Sequence, residues 1–321
     1  VVQVNEARSS IKMLELGTPQ GSSCSCLIFA LFIGDIGQWL DDCMVLAYAD
    51  DTFISIEACT MDELHAKMEE QGEKVLDFFS KNLMVTNPSK TELLVFRPTV
   101  SRVQLDPTTI TLQGETIIET NTAKLLGVWI SNDLKWSKHL DELKKSLNYS
   151  ISVLWRLRKV LGGRILKTIA DGLVMSKVRY CASVWGTEYL RTEVADPTSS
   201  AVQSLQIIEN NVLRLITGHR KSEHIKIEDM LRETGFLSIN QIIAYTTLME
   251  AWKAKTFDIP LMNSVFSRSR EDTRTLRSDT NGAVSYAIDE PFARAAAGLW
   301  NSASSSFKTT NLLVNAKTEA K

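Results

Sequence analysis

The sequence is poor in the residues that build covalent or metal staples. Its 321 residues hold five cysteines and four histidines. Cys24, Cys26, Cys43, Cys59 and Cys181 fit neither a disulfide framework nor a zinc-ligand spacing. Cys24-Ser-Cys26 with Cys43 hints at a metal cluster, but ordinary reduced thiols are the plainer reading, and a reducing compartment is expected. His219 and His224 are too few for a metal site. No apolar run approaches the roughly 20 residues that a membrane-spanning helix needs. No secretory leader is visible at the N-terminus. An intracellular location, nuclear or cytoplasmic, and no membrane partner are the expectations. The chain starts at Val1 and enters a patterned segment at once, so it is expected to be a fragment.

What is present is ordinary for a folded protein: 44% hydrophobic and 23% charged residues, enough to bury a sizeable core in two or three sub-domains. The net charge of −2 hides an asymmetry. Residues 1–100 carry 15 Asp/Glu against 7 Lys/Arg, whereas residues 135–180 carry 11 Lys/Arg against 3 Asp/Glu. An acidic half followed by a basic helical stretch suggests a metal in one place and a polyanion in the other. A solvated helix face explains the charge equally well.

The stretch that organises the rest is Tyr48-Ala49-Asp50-Asp51. The flanking runs Met44–Ala47 and Thr52–Ile56 are apolar or β-branched, and two such runs around a tight polar turn predict a β-hairpin. Aspartate is depleted in strands, so two in succession need a reason. Turn chemistry is one reason, since Asp hydrogen-bonds nearby backbone. Paired carboxylates that bind hard divalent cations for phosphoryl or nucleotidyl transfer are the other.

Upstream, Gly17-Thr18-Pro19-Gln20-Gly21-Ser22-Ser23 is a loop by composition. Leu27, Ile28, Leu31 and Phe32 then recur at helical spacing, predicting a buried helix. Downstream, Thr60-Met61-Asp62-Glu63 predicts a capping box. It opens an amphipathic helix with Leu64, Met68, Val75, Leu76, Phe79 and Leu83 on its core stripe. Asn87-Pro88-Ser89 is a turn before Lys90, and residues 92–96 read as a strand. Residues 109–118 predict a second hairpin about Gln113-Gly114, and residues 124–130 a further strand.

From Trp136 the pattern becomes helical. Leu140, Leu143, Leu147, Ile151, Leu154, Leu157 and Leu161 step by three and four, predicting a long helix ended by Gly162-Gly163. A second helix is expected over 164–185, then a linker near 192–200, helices near 201–217, 223–233 and 239–256, and a loose tail over 260–283. The fold class is α+β: an antiparallel sheet with packed helices, followed by an all-α region.

In this order the segments resemble reverse transcriptases of the non-LTR, LINE-type retrotransposon family. Gly17-Thr18-Pro19-Gln20-Gly21-Ser22 followed by Leu27-Ile28-Phe29 and Phe32-Ile33-Gly34-Asp35-Ile36 is similar to the palm motif of that family. Tyr48-Ala49-Asp50-Asp51 matches its catalytic hairpin. Asn87-Pro88-Ser89-Lys90-Thr91-Glu92 with Phe96 resembles the next motif. Leu125–Ile130, Leu134, Trp136 and His139 resemble the primer-grip strand and the entry to the thumb. Tyr180, Val184-Trp185-Gly186, Leu213–Gly218 and Leu299-Trp300-Asn301 echo later segments. Cys26 stands where the family has proline and Gly34 where it has asparagine. The family's fingers, and a first palm motif whose aspartate completes the metal-binding carboxylates, precede the point at which this sequence begins.

The resemblance implies a palm-type sheet over residues 1–134 without its first motif, a helical thumb over 135–217, and a C-terminal helical region with a loose tail over 218–321. It implies RNA-directed DNA polymerisation, in which a primer 3′-hydroxyl attacks a dNTP with two Mg²⁺ ions present. Asp50 and Asp51 would be catalytic metal ligands, and Tyr48 would sit beneath the primer end. Gln20 and Gly21 would face the nascent base pair and template, and Lys90 would lie near the triphosphate. Gly127 and Val128 would hold the primer, while Lys144, Lys145, Arg156, Arg158 and Lys159 would follow phosphates of the RNA–DNA hybrid. RNA template, DNA primer and dNTPs are the implied partners. Without the upstream aspartate the isolated chain is expected to have negligible activity. The alternative is a non-enzymatic remnant that binds nucleic acid or another partner. The plain readings of single residues are that Lys90 is an exposed turn lysine, that His139 packs at a helix start, and that most of Trp129, Trp136, Trp155 and Trp185 are buried.

Overall fold

The computed structural model describes residues 3–10, 17–18, 21–87, 90–97, 107–190, 199–259, 262, 291–310, 316–317 and 320. The chain forms two compact units, Val1–Ala123 and Lys124–Lys321. The expected α+β composition is present, but among the described residues the strands form four separate two-stranded pairs instead of one sheet.

The first unit begins with a small pair, β1 (Gln3–Val4) and β2 (Ala7–Arg8), and continues with α1 (Ser25–Ile33), β3 (Cys43–Tyr48), β4 (Asp51–Ile56) and α2 (Met61–Lys81). It ends on the hairpin of β5 (Thr109–Leu112) and β6 (Glu115–Ile118), whose turn at Gln113-Gly114 has positive φ at both residues. That pattern fits a two-residue I′ turn and bears out the second predicted hairpin.

Helix α2 lies at the centre of this unit. Thr60 caps it, accepting the Glu63 N–H at 3.2 Å, while the Glu63 carboxylate reaches back to the Cys59 N–H at 3.1 Å. The box is thus closed one residue earlier than the sequence pattern implies. One edge of the helix, with Leu64, Met68 and Leu76, packs on Leu93, Val95, Ile110, Leu112 and Ile117. The other, with Val75, Phe78 and Phe79, packs on Ile36, Leu40, Val45 and Ile54. Leu83 falls off the predicted stripe: the helix ends at Lys81, and Leu83 sits beyond it, exposed and with φ of 57°.

The helix also protects the open edge of β5. The Thr111 N–H donates to Glu69 at 2.9 Å and the Gln113 N–H to Glu73 at 2.6 Å. One turn earlier His65 meets the Thr109 carbonyl. Side chains four residues apart on a helix thus satisfy every second residue of a strand, blunting an edge that would otherwise pair with another chain.

Two expectations fail in this unit. Residues 92–96 form no strand, only a single bridge from Leu93 to Glu119, although Leu93 and Val95 are buried. A partly buried ion pair holds this segment. Arg97 bonds Glu119 through both nitrogens, and Nη2 also reaches the Thr108 hydroxyl at 2.9 Å. The second failure is α1, which is a helix but not a buried one. Leu27, Ile28, Leu31 and Phe32 are all exposed, while Ile33, Ile36 and Leu40 are the buried residues. The helix is apolar all round, so three-and-four spacing within it could not single out the inward face.

Strand β7 (Thr122–Leu125) straddles the boundary, and the second unit continues with β8 (Val128–Ser131), α3 (Ser137–Leu157), α4 (Gly163–Ala170), one π-turn over Asp171–Met175, α5 (Ser176–Arg179) and α6 (Ala182–Trp185). It continues with α7 (Ser200–Thr217), α8 (Ile227–Thr234) and α9 (Ile239–Thr256), then α10 (Pro291–Ser302) and α11 (Ser305–Thr309). The main core joins Leu140, Leu143, Leu147, Ile151 and Leu154 of α3 to Leu166, Trp185, Leu205, Val212 and Ile242. A second cluster gathers Trp252, Trp300 and Phe307 at the far end of α9.

Three predicted boundaries move. Residues 124–130 are not one strand but a hairpin folded at Leu126-Gly127. Gly162 does not end α3; it caps the start of α4, accepting the Leu166 N–H at 3.0 Å. Gly163 is small because a Cβ there would lie 2.8 Å from the Ile216 carbonyl oxygen. The expected helix over 164–185 breaks at Tyr180-Cys181, where Tyr180 turns extended and Cys181 adopts φ of 51°. The predicted linker and tail fall largely outside the described residues.

Candidate polymerase site

The β3–β4 hairpin is in the predicted register, with Tyr48 opposite Asp51 and Cys43 opposite Ile56. Alternation decides what it shows to solvent. Cys43 and Val45 turn to the α2 core, while Met44, Leu46 and Tyr48 are exposed, Tyr48 at 69%. The turn is Ala49-Asp50, with φ of 52° at Ala49 alone. Positive φ at the first central residue alone fits a II′ turn, where glycine is the usual occupant. An alanine held there costs roughly 1–2 kcal/mol, which the six-residue ladder on either side must offset. The result is that Asp50 and Asp51 stand exposed and adjacent at the tip of a register-locked hairpin.

Divalent cations such as Mg²⁺ take hard oxygen donors, and the two carboxylates are the right chemistry. Their number is short, because no group of three or more His, Cys, Asp or Glu is assembled to hold an ion among the described residues. The pair therefore fits a metal in donor type and falls short in donor count.

The other predicted residues distribute as follows. Gly21 is exposed with φ of 82°, and a Cβ on it would meet no atom within 4 Å. Gln20 lies outside the described residues. Lys90 is exposed and closes a turn, its N–H donating to the Asn87 carbonyl at 3.0 Å. Among the described residues no hydrogen bond or ion pair joins Lys90 to the Asp50-Asp51 turn.

Gly127 occupies the tip of the β7–β8 hairpin with φ of 88°, beside Leu126 at 46°, and Val128 is buried. A residue that motif reading gave no role holds this tip. The Tyr180 hydroxyl donates to the Leu126 carbonyl at 2.6 Å, and its ring lies 3.6 Å from where a Gly127 Cβ would be. The Tyr180 carbonyl in turn accepts the indole N–H of fully buried Trp185 at 3.0 Å. A tie therefore runs from the helical core to the hairpin tip. No sequence signal links positions 126 and 180; only the helix break at Tyr180-Cys181 aims the phenol there.

His139 is a packing residue. It accepts the Trp129 N–H on Nδ1 at 3.4 Å and sits against the Trp136 and Trp185 rings, and burial pulls its pKa down. His219 is held between Glu223 at 3.1 Å and Glu233 at 3.3 Å, and the Glu223 contact first, then Glu233, raises its pKa. Of the tryptophans expected to be buried, Trp185 is, whereas Trp155 is 50% exposed.

The basic helix divides into two halves. Lys144 pairs with Asp141 at 2.8 Å and Lys145 with Glu142 at 2.8 Å, so their charge is compensated along α3. Arg156 and Arg158 bond only carbonyls, those of Ser152 and Gly218, and no ion pair involves Arg156, Arg158 or Lys159 among the described residues.

Residues 1–130 match the family model described as reverse transcriptase (RNA-dependent DNA polymerase). Over 224 residues the chain is 24% identical to a probable RNA-directed DNA polymerase from transposon X-element of Drosophila melanogaster, covering 68% of this chain and 23% of that protein. Over 224 residues it is 22% identical to the RNA-directed DNA polymerase from mobile element jockey of Drosophila funebris, with the same coverage. It is 26% identical over 177 residues to a putative 115 kDa protein in type-1 retrotransposable element R1DM of Drosophila melanogaster, covering 53% of this chain and 17% of that protein. The chain spans about a quarter of the length of the first two relatives. No solved structure matches it. The matched segment includes the acidic hairpin, and the chain is similar to RNA-directed DNA polymerases of transposable elements.

Proposed function

We propose that this chain is the palm-and-thumb portion of an RNA-directed DNA polymerase that extends a primer 3′-hydroxyl with dNTPs on an RNA template. The observation that carries the reading is the exposed Asp50-Asp51 pair at a register-locked hairpin tip inside the family-matched segment. Residues 1–134 are read as palm, 135–217 as thumb and 218–321 as a C-terminal helical region.

Asp50 and Asp51 supply two carboxylates towards a divalent-metal centre. Mg²⁺ is the ion expected, and in such enzymes it stabilises attacking and leaving oxygens. Tyr48, exposed on the same strand, lies beneath the primer end, with Gln20 and Gly21 at the nascent pair and Lys90 near the triphosphate. At the Gly127-Val128 tip, where the Val128 side chain is buried, backbone groups are what meets the primer. Arg156, Arg158 and Lys159 contact phosphates more strongly than Lys144 and Lys145, whose charge Asp141 and Glu142 already neutralise. With only two carboxylates gathered, the 321-residue chain alone is expected to be inactive.

Primer extension on poly(rA)·oligo(dT) with Mg²⁺ tests this. It is run for the chain alone and for the chain fused behind the corresponding N-terminal polymerase segment of a relative, each with and without Asp50→Ala. The fusion is expected to incorporate dNTP, and its Asp50→Ala form to lose at least about 100-fold, the scale of one essential transition-state contact. Incorporation by the Asp50→Ala fusion refutes the assignment. A silent fusion that still binds hybrid in a salt-dependent way favours a nucleic-acid-binding remnant instead.

A further inference from the structure

We propose that the outer face of the C-terminal half of α3 binds single-stranded nucleic acid, with Tyr149 and Trp155 stacking unpaired bases. The proposal rests on the reading that this chain handles nucleic acid, and it adds, next to the hybrid contact of Arg156, Arg158 and Lys159, a single strand that runs on beyond the hybrid.

The geometry follows from the helix period. Leu140, Leu143, Leu147, Ile151 and Leu154 face the core, all buried. The opposite side presents Lys145, Tyr149, Ser152 and Arg156 in steps of four and three, with Trp155 on the flank about 120° round from Tyr149 and Lys159 in the turn just beyond the helix end. Residues at these intervals are surface neighbours, and Tyr149 and Trp155 lie about 9 Å apart along the axis. Tyr149 is 71% exposed and Trp155 50%. The helix thus buries its aliphatic side chains and leaves two aromatic rings in water, with short Ser152 between them.

The charge around the rings selects the partner. Arg156, Arg158 and Lys159 have no carboxylate partner among the described residues, unlike Lys144 and Lys145 about three to four turns earlier. The Arg158 guanidinium lies 5.5 Å from the Trp155 ring centroid, which steadies the indole. Uncompensated cations next to an exposed indole suit a polyanion that also offers flat apolar faces. A duplex keeps its bases stacked on one another and presents phosphate to such a surface; a single strand can lay bases on the rings.

The test is fluorescence anisotropy of the full chain with labelled oligo(rU), oligo(dT) and a blunt RNA·DNA hybrid. Trp155→Ala is expected to weaken single-strand binding at least about fivefold, within the range for loss of one stacked base, and to leave hybrid binding unchanged. Trp155→Phe retains most of the affinity, and Arg156→Gln with Lys159→Gln lowers the salt dependence. The two single strands show whether RNA, DNA or both are taken, and any of these supports the proposal. Equal single-strand binding by native and Trp155→Ala protein overturns it, as does equal loss on strand and hybrid. A native chain that binds hybrid but no single strand overturns it and leaves the polymerase reading standing. A chain that binds neither ligand removes the proposal together with the nucleic-acid reading. Trp155 lies outside the core, so an unchanged melting temperature confirms that Trp155→Ala is folded.

Discussion

Glu209 gives the sharpest quantitative test of the second unit. It sits on α7, 2% exposed, with Gln206 Nε2 donating to Oε2 at 2.7 Å and Oε1 buried without a partner. Burial pushes its carboxyl up to about 8, against an ordinary 4.5, although the Gln206 and Ile239 contacts pull the other way. Between those values the native state holds a proton that the unfolded chain has released, so stability falls as pH rises. At about 1.4 kcal/mol per pH unit, a gap of about 3.5 units costs as much as about 5 kcal/mol at pH 8 and above. Below pH 4.5 both states are protonated and the cost disappears.

Glu209→Gln keeps the shape and the acceptor for Gln206 and removes the charge. It also places an amide N–H₂ where no acceptor waits, a loss of about 1–3 kcal/mol at any pH. The variant is therefore expected to be about 1–3 kcal/mol less stable than native near pH 4.5 and about 2–4 kcal/mol more stable near pH 9. Other titrating groups are common to both proteins and cancel in the difference. Urea unfolding followed by the fluorescence of buried Trp185 and Trp252 reads it across that range. A difference that does not vary with pH refutes the argument that Glu209 is buried without compensation.

Two further perturbations probe how the second unit is held. Tyr180→Phe removes the bond to the Leu126 carbonyl, worth about 0.5–1.5 kcal/mol, and keeps the ring against Gly127. Hydrogen exchange at the Gly127 and Val128 amides should quicken about 2- to 10-fold, and unchanged exchange would show that the phenol does not restrain the tip. In Gly186→Ala the new Cβ would lie 2.5 Å from the Ala182 carbonyl oxygen and 2.6 Å from Ile243 Cγ1. Because one obstacle is backbone, a loss of at least about 1–3 kcal/mol is expected in urea unfolding, and a neutral result would mean that α6 and α9 are less closely packed than described.

The sequence by itself determined the elements whose signals are local. The Asp50-Asp51 hairpin, the Gln113-Gly114 turn, the Thr60 cap and the five buried aliphatic positions of α3 all follow from period, turn chemistry and capping, which act within a few residues. The family was legible for the same reason, since its motifs are short and ordered along the chain. Tertiary structure decided what depends on distant partners. Period alone could not tell that the apolar residues of α1 stay in solvent, because an all-apolar helix has no stripe to read. It could not tell that Gly162-Gly163 begins a helix instead of ending one, or that the Ile216 carbonyl leaves Gly163 no room for a side chain. Neither could it reveal that Tyr180 reaches a turn 54 residues away. Those facts depend on which side chains the folded backbone brings within about 3 Å of one another, and linear spacing carries no record of that.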